Sequence, residues 1–427
     1  MNQTLRKPSK KVPPEIVLLQ GGHPEMAISQ LDAKLAADPQ NWEYHTNIGI
    51  GYRMTNQFQL ALLHHTLATQ IMPAAAVVWH NLGVTKTELG DFEGAFLAHQ
   101  KAYNCEPDNQ QVCLGYAYCL LRYGKFEEAW PLWEQARYHT SFWEMPGLAL
   151  WTGEEPLEGK KILIFMEGGY GDSIMFLRWM AELKDRGAIT FLSAFEKQAR
   201  LFVGHPWVDH VLTDKDYLDP EKFDYSASIM SLPALLRCKA DAIPAATRYI
   251  MAHPDEVLRY RGKIHRGKKP IVGICWGAEE GVVPKKSRTI SDAEIEPLKG
   301  ADVDWVSLWP GHRLPWMSEY PVSDWSDTAA LITQLDCVVS VDTAVAHLSA
   351  AMGKSTKIIV PLGSDWKWFR NITTSPWYPS VELIRNDDPV KWTGAIQKVL
   401  DGVHGLLRLP SGLRPEHGDS PSAAVGQ

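Results

Sequence analysis

The sequence predicts an α plus α/β chain, in which an N-terminal solenoid of helical hairpins precedes an α/β region built of two similar halves. Two observations predict it. Small and turn-forming residues recur every 34 residues over the first third, and from Lys160 that texture gives way to short apolar runs, each followed by an amphipathic stretch.

The repeat array is assigned to 14–140, about four units, behind a flexible segment 1–13. Ala27, Ala61, Ala95 and Ala129 fall in register, as do Ala68, Ala102 and Ala136, with Lys34 as the first unit's exception. Gly22, Asn56, Gly90 and Gly124 keep the same period, as do Pro39, Pro73 and Pro107, and Gly49 and Gly83 with Ala117 in third place. Small residues let the two helices of a hairpin approach closely, Gly or Asn permits the left-handed turn between them, and Pro closes the second helix. This is the tetratricopeptide (TPR) pattern, clearest in Trp79, Leu82, Gly83, Ala95, Ala102 and Pro107. The outer units are atypical, with Lys34 in the first and Ser141 in place of Pro in the fourth, as terminal repeats that cap a stack tend to be. Such a superhelix offers a concave face to a protein or an extended peptide. The other reading is a purely structural or dimerising stack, which leaves a homo-oligomer possible.

A linker is expected at 141–159. The first α/β half, 160–265, opens on the strand KILIFM, turns through Glu167-Gly168-Gly169-Tyr170-Gly171-Asp172, and enters a helix over SIMFLRWMAELKDRG, with strands at ITFLSAF, HVLT and DYSASIM. The second half, 266–408, has strands at PIVGICW, WVSLWPG, CVVSV and KIIVPL and helices near 291–298, 326–335, 344–352 and 390–401. Alternating strands and helices imply parallel sheets, with ligand-binding turns at strand C-termini and a cleft between the halves. The Pro/Gly/Ser-rich tail 409–427 is expected to be disordered.

Composition narrows the function classes. Hydrophobic residues at 45% and charged residues at 22% describe a globular chain, and a net charge of −7 argues against nucleic acid or an anionic membrane surface as partner. The absence of a long apolar run points to a cytoplasmic protein with no membrane span. The six cysteines form no C-x-x-C pair and no metal-ligand spacing, so free thiols and no metal are expected. Of the 17 tryptophans, most are expected in the core and a few in a pocket.

The motif with most chemistry is Val338-Val339-Ser340-Val341-Asp342-Thr343-Ala344-Val345-Ala346-His347, a strand that opens directly into a helix. The first amides of that helix lack intrahelical acceptors and share its positive dipole end, so Thr343 and Ala344 form a candidate diphosphate site, with His347 one turn on. The plainer readings are an ordinary helix cap and a hydrogen-bonded histidine.

The segments EGGYGDSIMFLRW at 167–179, GICWG at 273–277, LITQLDCVVSVDTAVAHLSAAMGK at 331–354 and DWKWFRNITTSPWYPSVELIR at 365–385 resemble, in order, the heptosyltransferase-like family nine glycosyltransferases, and more closely bacterial proteins that fuse TPR repeats to such a domain. The resemblance implies a GT-B architecture of two Rossmann-like halves, metal-independent, with no cofactor and a nucleoside-diphosphate sugar as substrate. The donor is held by the C-terminal half and the acceptor faces the N-terminal half. It assigns Asp172 as candidate general base, with Gly168, Gly169, Tyr170 and Gly171 as the acceptor loop. On the donor side it points to Asp342, Thr343, Ala344 and His347, to basic Lys285, Lys286 and Arg288, and to Ser307 and Leu308 near the base, with Trp309 or Trp276 stacking on it. Where relatives often carry a small polar residue or Gln, this chain has Trp309.

Two functions follow. One is a glycosyltransferase moving a sugar to a protein or glycan acceptor recruited by the repeats; the other is a recognition scaffold whose transferase-like domain no longer transfers.

Overall fold

The computed structural model describes residues 12–137, 147–244, 247–264, 267–277 and 288–406. The expectations for the N-terminal segment before residue 12, Lys285, Lys286, the first part of the linker and the tail from 409 lie outside the described residues.

Eight helices make four hairpins: α1 Pro14–Gln20 with α2 Pro24–Ala37, α3 Trp42–Met54 with α4 Phe58–Ile71, α5 Ala76–Glu88 with α6 Phe92–Cys105, and α7 Gln110–Arg122 with α8 Phe126–Arg137. The four turn positions read from the period, Gly22, Asn56, Gly90 and Gly124, have φ of 77°, 59°, 74° and 73°, the left-handed conformation that ends one helix and starts the next. Ala27, Ala61, Ala95 and Ala129 are completely buried at the helix crossings. Gly83 is small for a related reason: a Cβ there would lie 2.6 Å from the His99 ring, which fills the space. The exception in the first unit is explained by charge, since Lys34 Nζ meets the buried Glu15 carboxylate at 2.7 Å. Helix α1 is only 7 residues long, as the weak first unit implied.

The α/β region has two sheets whose named strands all pair in parallel. The first contains β1 Lys161–Phe165, β2 Ile189–Ser193, β3 His210–Leu212 and β4 Tyr225–Ser228 in the order β3-β2-β1-β4. Its helices are α9 Tyr170–Phe176, α10 Met180–Asp185, α11 Glu196–Phe202, the short α12 Leu232–Leu235, and α13 Pro254–Arg261, which leads toward the second sheet. The second sheet contains β5 Ile271–Cys275, β6 Asp304–Ser307, β7 Ser318–Glu319, β8 Cys337–Val341, β9 Thr356–Val360 and β10 Val381–Arg385 in the order β10-β9-β8-β5-β6-β7. Helices α14 Asp292–Ile295, α15 Trp325–Thr333, α16 Ala344–Ala351 and α17 Thr393–Leu406 complete it. In both sheets the strand order reverses beside the first strand, a switch point where loops at the strand C-termini splay apart and leave a crevice.

The structure departs from the sequence reading in several places. The single helix expected after β1 is broken into α9 and α10 by a 3-10 turn at Leu177–Trp179. There the buried Arg178 guanidinium reaches Trp377 O at 2.6 Å, Pro244 O at 3.0 Å and Tyr249 Oη at 3.1 Å, tying the break to distant segments. The later part of the 141–159 segment is no free linker, because Leu150 bridges Ser226 and Trp151 N–H donates to Ser226 O at 2.9 Å, extending the first sheet past β4. Strand β10, at the end of the aromatic-rich 365–385 segment, was not among the strands expected from the sequence.

The fourth hairpin is continuous with the α/β core. Phe126, Trp130 and Trp133 belong to the same buried cluster as Trp179, Trp366 and Trp377. Phe126 stacks on Trp377 with ring centroids 6.0 Å apart, Trp130 Nε1–H donates to Cys238 O at 2.8 Å, and Arg122 Nη2 donates to Ser364 O at 2.7 Å. Much of the tryptophan excess serves this seam. Phe126→Ala is expected to cost roughly 3–5 kcal/mol, and because the core is shared, helical and near-ultraviolet circular dichroism should follow one common denaturation curve. A separate early transition of the repeats would show that the seam does not couple them.

Candidate functional site

Three strand ends converge on one cleft. After β1 the chain turns at Gly168, with φ of 73°, into α9; after β8 it passes through Asp342 and Thr343 into α16; after β9 it runs through 361–369. Helices α9 and α16 meet at Gly171, where a Cβ would lie 2.7 Å from His347 Cδ2 and 3.3 Å from Ala344 Cα. The missing side chain therefore allows the first half's turn to abut the second half's helix start. Arg200 of α11 clamps the halves on another side, its Nε and Nη2 each 2.8 Å from the Asp324 carboxylate at the start of α15.

The cleft holds an ionic array. Asp172 Oδ2 accepts from Gly169 N–H at 3.0 Å, so it caps α9, while its Oδ1 lies 3.1 Å from Lys367 Nζ. Lys367 also lies 3.3 Å from Asp365, and Arg288 Nη1 donates to Asp342 O at 3.0 Å and pairs with its carboxylate at 3.3 Å. His347 stands 3.7 Å from Asp342, hydrogen-bonds Tyr378 Oη through Nδ1 at 2.8 Å, and stacks on Trp368. Burial alone would raise the Asp172 carboxyl, but Lys367, Gly169 N–H and His347 outweigh it and leave it below the ordinary value. For Asp342 burial again opposes ionisation, and His347, Lys367 and Arg288 together hold it far below the usual carboxylate range. Burial works against the Lys367 ammonium, yet Asp172, Asp365 and Asp342 keep it firmly protonated.

Among the described residues, cavities open at the array and on the repeat helices beside it. A cavity of about 280 Å3 is lined by Asp172, Gly169, Gly171, Arg288, His347 and Lys367. A second, of about 420 Å3 and more apolar, is lined by Leu308, Trp309, Pro310, Trp325 and Thr328. Tyr170, Thr343 and Ala344 border both. The third, of about 310 Å3, is a groove across the repeat helices α5 and α7, lined by His80, Val84, Glu88, Leu114, Gly115 and Arg122. Tyr118 of α7 lines this groove and the Asp172 cavity. Burial lowers His80 to about 4 and His99 to about 3, with Arg53 and His80 respectively adding to the effect, so both imidazoles are neutral at neutral pH.

The structure thus gathers Asp172, Gly169, Tyr170, Gly171, Arg288, Asp342, Thr343, Ala344 and His347 around one cavity, and Leu308 and Trp309 around its neighbour, while Gly168 supplies the turn and does not line the cavity. Others are placed differently. Trp276 is buried, donates Nε1–H to Asp292 at 2.9 Å and lines neither cavity, so it is a core residue and no stacking platform. Ser307 is buried and its hydroxyl holds the following loop through Trp309 N–H and His312 O. The Thr343 hydroxyl faces Ser340 Oγ at 3.0 Å and makes no cap bond, and the Asp342 carboxylate is occupied in holding Arg288 and His347. Lys367, Asp365 and Tyr118 were not singled out from sequence. A signal for the first two existed in Asp365-Trp366-Lys367-Trp368, a charged pair among aromatics. For Tyr118 there was none, since its position is an ordinary one on a repeat helix. Among the described residues no cluster of three or more His, Cys, Asp or Glu side chains is arranged to hold a metal ion, and no helix is long and apolar enough to cross a membrane.

Comparison with known proteins finds similarity to tetratricopeptide repeat proteins over part of the chain. No family model matches the chain. It is 25% identical over 416 residues to protein FlbA of Caulobacter vibrioides, covering 87% of this chain and 69% of FlbA. Over 111 residues it is 29% identical to tetratricopeptide repeat protein 8 of Caenorhabditis elegans, 26% of this chain and 22% of that protein. Among solved structures, MamA is 25% identical with a TM-score of 0.25, over 29% of this chain and 71% of MamA. A thermophilic TPR protein of Thermus thermophilus is 18% identical with a TM-score of 0.27, over 29% of this chain and 69% of that one.

The Asp342 arrangement sets a pH dependence. A carboxyl held below its unfolded value contributes stability above that value and loses it as pH falls toward the folded one. Stability of the wild type should therefore drop below about pH 4, whereas Asp342→Asn should be less stable at neutral pH and show a flatter acid limb in urea titrations. Parallel acid limbs would mean that Asp342 is not the group responsible.

Proposed function

We propose that the chain is a glycosyltransferase of GT-B architecture, its two sheets forming Rossmann-like halves, which transfers a sugar from a nucleoside-diphosphate donor to an acceptor recruited by the repeats. The observation that carries this reading is the carboxylate of Asp172 facing, across one cavity, the uncapped start of α16, with an apolar cavity adjoining at Thr343 and Ala344. The apolar cavity suits a nucleoside between Leu308 and Trp309, and the α16 amides suit its diphosphate. The sugar then lies beside Asp172.

In the transfer, an acceptor hydroxyl oxygen bonds to the anomeric carbon as the bond from that carbon to the diphosphate oxygen breaks. The diphosphate leaves with the electron pair and Asp172 takes the hydroxyl proton. Negative charge grows on the leaving diphosphate, so Arg288, Lys367 and the helix amides stabilise the transition state more than the ground state. This plan is metal-independent. The acceptor approaches along the repeat groove, which reaches the cleft at Tyr118. The scaffold reading keeps the groove and the nucleotide site but dispenses with turnover; the engagement of Asp172 by Lys367 is what favours it.

A thermal-shift screen of UDP, GDP, ADP, CMP and their sugar conjugates tests the donor site. One nucleotide is expected to raise the melting temperature, by the equivalent of about 2.7 kcal/mol at a hundredfold excess over its Kd, and Arg288→Ala should weaken the shift. With that donor, Asp172→Asn should keep binding and lose turnover by roughly 10²-fold or more. Binding without turnover in the wild type selects the scaffold, and no shift with any nucleotide removes the donor site altogether. Gln111→Trp places a bulky ring at an exposed position on the groove wall and should abolish transfer to a macromolecular acceptor while leaving the nucleotide shift intact; undiminished transfer would exclude the groove as the acceptor's path.

A further inference from the structure

The cleft's charges do not balance for the ligand it is proposed to take. Asp172, Asp365 and Asp342 face two permanent cations, Lys367 and Arg288, with the His347 imidazole 3.7 Å from Asp342. A diphosphate brings further negative charge, so its arrival requires the cations to change partners or a carboxylate to take up a proton. Arg288 is committed to both the backbone carbonyl and the carboxylate of Asp342, which is only 2% exposed. Lys367 is different. Its backbone is fixed, with Trp377 Nε1–H donating to Lys367 O at 2.5 Å and Trp366 and Trp368 buried on either side. Its ammonium, on a flexible four-carbon stem, is shared between Asp172 at 3.1 Å and Asp365 at 3.3 Å and lines the same cavity as Thr343 and Ala344.

We propose that Lys367 is a partner-exchanging lysine: its ammonium leaves Asp172 for the diphosphate at the start of α16, and Asp172 is thereby released to take the acceptor's proton. The inference rests on the donor site proposed above and adds how that site is switched on. One cation then serves two purposes in sequence, holding Asp172 paired until donor is present and neutralising the leaving group afterwards. The other charged or titratable groups felt at Asp172 are His347 of α16, Arg137 of α8 and, through its own perturbation, Tyr118 of α7, with the Asp342–Arg288 pair behind them. Lys367 is the cation hydrogen-bonded to the carboxylate and the strongest influence holding it ionised, so its departure is the event with the largest effect on Asp172.

Exchange makes diphosphate binding proton-linked. Once Lys367 has moved, Asp172 is flanked by negative charge and protonates more readily, so binding takes up a proton increasingly as pH falls from about 7 to about 5. Titration calorimetry of the full chain with UDP, GDP and inorganic pyrophosphate, in two buffers of different ionisation enthalpy, reads this directly. Protonation of the ligand itself is common to all variants and cancels in the comparison. The wild type should take up more protons than Asp172→Asn, and Lys367→Met should bind roughly tenfold or more weakly. Equal proton uptake in wild type and Asp172→Asn, or unchanged affinity in Lys367→Met, overturns the exchange while leaving the donor site standing. No binding of any diphosphate to the wild type overturns the donor site and the exchange with it. If Lys367→Met fails to fold, the proton count of Asp172→Asn decides alone.

Discussion

The contact on which the rest of the cleft depends is the close approach of α9 and α16 at Gly171. With no side chain there, the turn that carries Asp172 comes within van der Waals distance of Ala344 and His347. A methyl group would separate the helices by enough to break the short charge contacts around them, because Coulomb interactions in a shielded cleft weaken quickly once water enters. Gly171 is therefore a spacing constraint between two sheets, and the bidentate Arg200–Asp324 pair holds the same spacing from a second point.

The repeats are part of that construction. Helices α7 and α8 supply one wall of the core and, through Tyr118, part of the cleft, while Arg122 fastens the backbone of the loop that carries Lys367. The backbone after that loop is constrained as well: Phe369 has φ of 49°, a conformation costly for an aromatic residue, and its carbonyl accepts from Arg385. The groove on the array and the cleft between the sheets are thus separated by a single helix and a single loop.

Buried charge is tolerated in this cleft because it is mutual. Asp342, Lys367 and Asp172 would each be expensive to bury alone, and each is held ionised by the others. Such an array gives little net stability compared with apolar packing, but it is poised: a ligand carrying charge redistributes the pairing. The tryptophan-rich seam next to it, with Trp133 and Trp366 at one edge of the cavity, provides the rigid apolar surround against which those charges act.

Sequence alone determined what depends on local rules. The repeat period, the left-handed turn residues, the parallel α/β texture, and the turns at Asp172 and at Asp342-Thr343 were legible because helix crossings, φ > 0 positions and helix starts each demand particular residue types at particular spacings. Only the tertiary structure decided the rest. Trp276 and Trp309 share a motif chemistry, yet one is buried against Asp292 and the other lines a cavity, since burial depends on which face of a strand end the neighbouring loop covers. Lys367 and Tyr118 reach the cleft from positions 195 residues beyond Asp172 and on a repeat helix, respectively. Their roles come from long-range packing that no local spacing encodes, and the sharing of Lys367 among carboxylates exists only once the two sheets and the last repeat have closed around it.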